Sequence, residues 1–554
     1  MATFVAIHPA VVPDLEHAVR RSTVLVGAVL VQLILGTVYG YSIFWQPLEA
    51  EIWPPILTQA ASAAAVSAPS SVPDTTAAGL VAPQVVIVED VARLAQERQH
   101  REGLLKYSFA ICLLAFAASM VAAGRVQDVK GPRFTAVIGG LTLGTAFLLA
   151  GFMNSPAVYY VCHALSMGVC VVVLLTVFDY LTRRRSRSDD RGDRAIRSAV
   201  VGFVPYGIMT AVIVGGVALG RAYISTSPAN KVFLLWGTVG LLAGAGIGFA
   251  YVCPIAALVK WFPRHKGLVS GVAVAGFGLG AYVFSGRTRF GGVGFIETHG
   301  IETFFRVHGV IAAAVVCGGA MLLRNPPVPA ARPSVPGEPV GSDTTWQELL
   351  RSGRFYAVWA MFFSGAMAGL MVIGILKPFA GSQLLRAAET AEGVVGAALR
   401  NELLLKGATA VGVLALFNAA GRVLWGWLSD RIGRSVTMTA MFVFQGVTLL
   451  CLTGLDSEME LTIGAACVGF NFGGNFALFP SLTADLFGSR NFGANYGWVF
   501  TSYGVAGVLG VWAGNAAQNL TGSYFAAFGA AACLCFASGV LSLLLGRTRA
   551  AATA

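Results

Sequence analysis

The stretch from Gly421 to Arg434 places one arginine in an apolar run, eight residues before an aspartate. On a helix that spacing separates Arg422 from Asp430 by about 12 Å. With Asp430 in a turn at a membrane surface, Arg422 lies inside the bilayer. A cation there is costly, and marks either a substrate pathway or an ion pair that braces helix packing. A guanidinium can donate two parallel hydrogen bonds to one carboxylate in a dry site, so the chemistry it suits is reversible capture of an organic anion. Other apolar runs supply candidate cavity walls. Asn471 and Asn475 are four apart, hence on one helix face. Trp498 and Tyr503 share a later run, and Tyr41 stands near the outer half of the first, where it either donates to an anion or is an interfacial belt residue.

These residues must be held by membrane helices. The chain has 554 residues, 56% hydrophobic and 12% charged, whereas soluble domains carry roughly 25% charge. Its apolar runs of about 20 residues, rich in Gly and Ala, read as packed transmembrane helices rather than barrel strands. The net charge of +11 falls mostly in short loops, so the positive-inside rule explains it and membrane lipid, not nucleic acid, is the expected surrounding. The nine cysteines sit in apolar runs with no disulfide or zinc spacing, and His163 and His308 lack a ligand partner at helical spacing. No Gly-rich loop ending in Lys-Ser/Thr occurs. No metal, cofactor or enzymatic centre is therefore expected.

Along the chain the spans read as about 22–47, 105–123, 134–152, 157–181, 198–221, 232–259, 267–286, 306–323, 355–380, 405–428, 435–455, 459–484, 494–517 and 522–545. A polar segment at about 48–104 lies outside, with a short amphipathic helix expected near its end, and a Pro-rich linker at 324–354 lies in the cytosol. This gives about fourteen transmembrane helices with both termini cytosolic. The domains read as 1–323 and 355–554, joined by that linker.

Two turns repeat. Gly124-x-x-x-Asp128-x-x-Gly131, followed by Arg133, matches Gly426-x-x-x-Asp430-x-x-Gly433, followed by Arg434. Each joins the second and third helix of its half, as in a parallel repeat. Gly124, Asp128, Arg133, Gly426, Asp430, Arg431 and Arg434 are thus expected to latch the cytosolic face and bind no substrate.

With these turns, and with Gly248 to Pro263, Gly271 to Gly280 and Gly473 to Pro480, the chain resembles the major facilitator superfamily. Within it the chain is similar to the oxalate/formate antiporter branch and the monocarboxylate transporters. The resemblance implies an all-α membrane fold of two related six-helix bundles. The pair within 157–221 then reads as a hairpin inserted between helices 3 and 4. It also implies that Arg422 matches an arginine that binds the substrate carboxylate in monocarboxylate transporters. Their acid, four residues earlier, is replaced by Asn418. Oxalate carriers of the branch use a lysine in helix 11, yet no Lys or Arg lies between Gly493 and Gln518. One buried cation favours a monoanion, because a second carboxylate would stay unpaired. The expected function is secondary active transport of small monocarboxylates such as formate, pyruvate or lactate, with Arg422, Tyr41, Asn471, Asn475, Trp498 and Tyr503 around the substrate. Exchange of oxalate or another organic anion, or a non-transporting receptor on the same fold, are the alternatives.

Overall fold

A computed structural model describes residues 11–53, 88–162, 226–285, 292–327, 343–393 and 396–553, and among them there is no strand. The N-terminal set of helices is α1 (Val11–Leu35), α2 (Trp45–Ile52), α3 (Val88–Lys130), α4 (Pro132–Ala150), α5 (Pro228–Leu235), α6 (Ala243–Trp261), α7 (Lys266–Ser285), α8 (Gly292–His299) and α9 (Ile301–Leu322). A short α10 (Trp346–Arg351) precedes the C-terminal set: α11 (Gly353–Glu392), α12 (Ala397–Ile432), α13 (Arg434–Leu452), α14 (Glu458–Phe487), α15 (Phe492–Thr521) and α16 (Phe525–Thr553). Nine helical spans among the described residues are long and apolar enough to cross a membrane. The inserted pair expected within 157–221 lies, beyond residue 162, outside the described residues.

Several boundaries differ from the sequence reading. The expected turns at 124–133 and 426–434 are mostly helix: α3 runs to Lys130 and α12 to Ile432. Only Gly131 (φ 89°) and Gly433 (φ 92°) reverse the chain. Glycine alone adopts such positive φ without strain, so one residue suffices for each reversal. Asp128 and Asp430 therefore stand in the last helical turn. At the end away from these turns, α3 begins at Val88 instead of following a separate amphipathic helix, and α11 and α12 reach to Glu392 and back to Ala397. Salt bridges one turn apart, Arg101–Glu97 (2.5 Å) and Lys106–Glu102 (3.1 Å), support the polar part of α3. Hydropathy registers only the part in lipid.

The first span is likewise composite. A 3-10 segment, Gly36–Phe44, separates α1 from α2, where the Gly36 backbone lies against that of Phe277 with no room for a Cβ. A π-helical stretch, Trp236–Leu242, joins α5 to α6.

Within the N-terminal set, α4 packs between α6 and α9, and α1 against α7 and α9; within the C-terminal set, α12 packs on α14, α13 on α16, and α11 on α15. The two sets meet chiefly along two crossings, α3 with α15 and α7 with α12. Arg422 lies on the second.

The linker is not wholly irregular. Thr345 and Glu348 form a capping box at the start of α10, the Thr344 amide donates to the Phe487 carbonyl (3.1 Å), and Asn495 donates to the Thr344 carbonyl (2.8 Å). Removing an N-cap hydroxyl costs about 1 kcal/mol. Thr345→Ala is thus expected to raise amide exchange across 346–351 about fivefold, and unchanged protection would show that the cap does not hold this helix.

Candidate functional site

Arg422 is fully buried (0% exposed). Its Nε donates to Asn418 Oδ1 (2.9 Å), one turn earlier on α12, and its Nη1 donates to the Val274 carbonyl (2.6 Å) on α7 across the crossing. Val274 can offer that carbonyl because Gly271 on the same helix lets the α12 backbone come into direct contact. Nη2 has no partner. The guanidinium carbon lies 4.5 Å from the Phe476 ring centroid and 5.6 Å from that of Phe277. Among the described residues, no carboxylate lies within salt-bridge distance of Arg422. The bracing ion pair that the sequence left open is not what holds this side chain. Two neutral oxygens and two ring faces hold it, and no described carboxylate compensates the charge.

Aromatic rings extend this site across both sets. Phe476 contacts Tyr503 (5.5 Å between centroids), Tyr503 contacts Phe500 (4.9 Å), and Phe500 contacts Phe116 (4.8 Å) and Tyr251 (5.4 Å). Tyr251 returns to Phe277 (5.3 Å). Apolar walls lower the local dielectric, which strengthens any hydrogen bond that the free Nη2 makes to an anion. Gln32 on α1 joins the edge of the cluster: its Nε2 donates to the Tyr251 carbonyl (3.0 Å), which leaves Oε1 as a buried acceptor without a partner.

The expected wall residues divide. Tyr503 is buried within the ring cluster. Asn475 precedes Phe476 on α14; its Nδ2 donates to the carbonyls of Asn471 (3.4 Å) and Phe472 (3.2 Å), while its Oδ1 lies against Gly365 of α11 without a hydrogen bond. Asn471 is buried, with neither amide atom bonded. Trp498 does not join them. It is half-buried, and its indole stacks on Trp346 of α10 (6.3 Å, 20° between planes). Five residues of helix turn it about 140° from Tyr503, so it faces the linker. Tyr41 lies in the 3-10 segment rather than an α-helix, and its side chain is outside what the structure describes.

Phe277 and the Val274 carbonyl were not legible as site groups. The Gly271 to Gly280 run signals close packing, but says nothing of which ring faces α12. Asn418 stands in the sequence only as a missing acid, and here acts as an acceptor. Among the described residues, no three His, Cys, Asp or Glu side chains gather to hold a metal, and eight cysteines are free. His308 is buried and meets Thr37 Oγ1 at 3.2 Å; His163 lies outside the described residues.

At the opposite end of each crossing, the repeated aspartates cap a helix of the other set. Asp128 accepts from the amides of Gly493 (3.1 Å) and Ala494 (2.8 Å) at the start of α15, and Asp430 accepts from those of Gly267 (3.0 Å) and Leu268 (2.8 Å) at the start of α7. A carboxylate at a helix N-terminus satisfies orphan amides and complements the helix dipole. Gly124 and Gly426 allow the approach: each lies directly against the backbone of the capped helix, at Gly493 and Gly267. The basic partners differ from a simple repeat. Arg434 bonds Asp430 (2.7 Å) and Asp485 (3.0 Å), and Lys266 bonds Asp485 (2.7 Å). In the first copy Lys260 approaches Asp128 (3.8 Å), while Arg133 instead donates to the Leu323 carbonyl (2.8 Å). Arg431 stays outside this network, exposed and stacked over Trp427 at 4.4 Å.

The repeated crossings and apolar spans define an all-α integral membrane protein, and comparison with known proteins places it further. A model of the Major Facilitator Superfamily matches residues 403–554. An uncharacterized MFS-type transporter of Escherichia coli K12, YhjX, is 31% identical over 57% of this chain and 73% of its own length. The oxalate:formate antiporter of Oxalobacter formigenes is 29% identical over 49% of this chain and 59% of its own, and apicoplast pyruvate carrier 1 of Toxoplasma gondii 29% over 52% and 61%. The chain thus spans less than two thirds of these last two relatives. Among solved structures, FucP in its outward conformation and the human organic anion transporter MFSD10 each superpose with a TM-score of 0.52 at 12% identity, covering 94% of this chain and 98% and 99% of theirs. The chain belongs to the major facilitator superfamily.

Proposed function

We propose that this protein is a secondary transporter of small monocarboxylates, such as formate, pyruvate or lactate, working by alternating access. The observation that carries this reading is the buried Arg422, held by neutral groups and, among the described residues, lacking a carboxylate partner. An unpaired buried charge costs several kcal/mol, which binding of an anion offsets. The names of the relatives, which refer to formate and pyruvate and also to oxalate, support small carboxylates as the substrate class. One cation argues for one carboxylate, and a neutral Asn418 argues for exchange or uniport without protonation at that position. Tyr503, Asn471, Asn475 and Tyr41 are the proposed further walls.

In this reading residues 1–323 and 355–554 are the two moving bundles, 324–354 is a cytosolic linker, and both termini are cytosolic. The aspartate caps hold the cytosolic side shut while the site opens outward. Counterflow in proteoliposomes tests the proposal: vesicles loaded with unlabelled formate, pyruvate or lactate are expected to accumulate the labelled anion, and monocarboxylates to compete better than oxalate. Absence of counterflow across the panel would refute transport, and stronger competition by oxalate would point to a dicarboxylate exchanger.

A further inference from the structure

The two aspartate caps belong to a longer internal correspondence. On α14, Gly473 lies against the Asn418 carbonyl and the Arg422 nitrogen; on α6, Gly248 lies against the Phe116 carbonyl and the Met120 nitrogen. One turn away, Gly469 abuts the Leu414 carbonyl and Gly244 the Cys112 carbonyl. Across the sets, Gly271 of α7 meets the Arg422 carbonyl, and Gly497 of α15 meets the Met120 carbonyl. Each contact needs a glycine because backbones touch where a Cβ would stand. All of them, with the caps, keep a single register. Met120 stands eight residues before Asp128 as Arg422 stands eight before Asp430.

The same register pairs the rings. Phe476, over the guanidinium, corresponds to Tyr251, and Phe277 corresponds to Tyr503. Both tyrosines pack on Phe116, one turn from Met120, at 5.1 and 6.1 Å. The cation thus has a counterpart position at the same depth in the other set, filled by a buried, uncharged thioether.

We propose that Met120 determines the charge of the transported anion: it is the neutral counterpart of Arg422 and leaves the far end of the substrate without a second cation. The inference rests on the monocarboxylate reading and deepens it. Arg422 takes the single carboxylate, and the end facing Met120 must be uncharged, because a second carboxylate beside a thioether in a dry site would be desolvated and unpaired. Methionine is unbranched and adaptable in packing, so an extended cationic chain of similar length can replace it with little change in volume.

The test uses full-length Met120→Cys in proteoliposomes. Treatment with 2-aminoethyl methanethiosulfonate attaches an ammonium to the already folded protein: the thiolate attacks the reagent's sulfenyl sulfur, a disulfide forms and methanesulfinate leaves. Methyl methanethiosulfonate provides a neutral adduct, and wild type treated alike controls for the native cysteines. The cationic adduct is expected to shift competition from formate toward oxalate by about tenfold or more, equivalent to one new ion pair in the site, with no shift for the neutral adduct. Met120→Lys should give the same change without reagent. An unchanged preference in the modified protein, or an introduced thiol that the reagent cannot reach, would overturn the inference. Wild-type protein that moves no monocarboxylate, or an Arg422→Ala variant with normal uptake, would instead refute the functional reading. Normal Arg422 dependence with unaltered charge preference would refute this inference alone.

Discussion

Arg422→Ala is expected to lower monocarboxylate uptake by roughly 10²–10³-fold, the loss of about 3–4 kcal/mol from two charge-assisted hydrogen bonds to the carboxylate. The side chain is fully buried with Nη2 unbonded, so that donor is available without breaking a structural contact. The same substitution removes an uncompensated charge from the interior. It leaves the Asn418 oxygen without its donor, at a cost of about 1–3 kcal/mol, and takes from the Val274 carbonyl the bond it makes beyond its own helix. The two effects oppose, and the melting temperature of the purified variant should change little. Arg422→Lys keeps the charge but not the planar fork, and should retain uptake reduced by about tenfold, a cost near 1.4 kcal/mol. Full uptake by a folded alanine variant would remove Arg422 from the binding site.

The second large effect is expected at the two aspartate caps, and unequally. Asp430 caps Gly267 and Leu268 and also holds Arg434 at 2.7 Å, whereas Asp128 has its nearest cation, Lys260, at 3.8 Å. Asn can keep one acceptor but loses the charge that makes these bonds strong. Asp430→Asn should therefore weaken closure by about 2 kcal/mol, a population shift of roughly 30-fold toward a state open at the capped face. Asp128→Asn should shift it less. Spin labels at the exposed positions Arg264 and Arg431, one on each side of the α7–α12 crossing, would report this as a longer distance population. An unchanged distribution in Asp430→Asn would mean that the cap does not hold the face shut.

What was legible in the sequence was whatever carried an energetic penalty. A charge within an apolar run stands out because lipid makes it costly, so Arg422 could be found from one chain. The repeated Gly-x-x-x-Asp pattern could be found because close approach demands glycine. The partners of these residues were not legible. Val274 serves Arg422 through its backbone from 148 positions away, and a carbonyl has no sequence signature. Trp498 and Tyr503 read as one wall in the sequence because both are aromatic residues of one helix, whereas the rotation between them turns Trp498 onto Trp346. The helix ends extend past their sequence limits because polar turns of α3, α11 and α12 continue beyond the apolar core, in α3 with local ion pairs one turn apart.

Equilibrium binding tests the central claim most directly, since it separates capture of the anion from the conformational cycle. Titration of formate, pyruvate and lactate into the purified full-length protein, by calorimetry in detergent or lipid nanodiscs, should give a saturable heat for at least one of them with wild type. The folded Arg422→Ala variant should give none over the same concentration range. Equal binding by the two proteins would contradict the account, because the carboxylate would then be held by groups other than the buried Arg422 guanidinium.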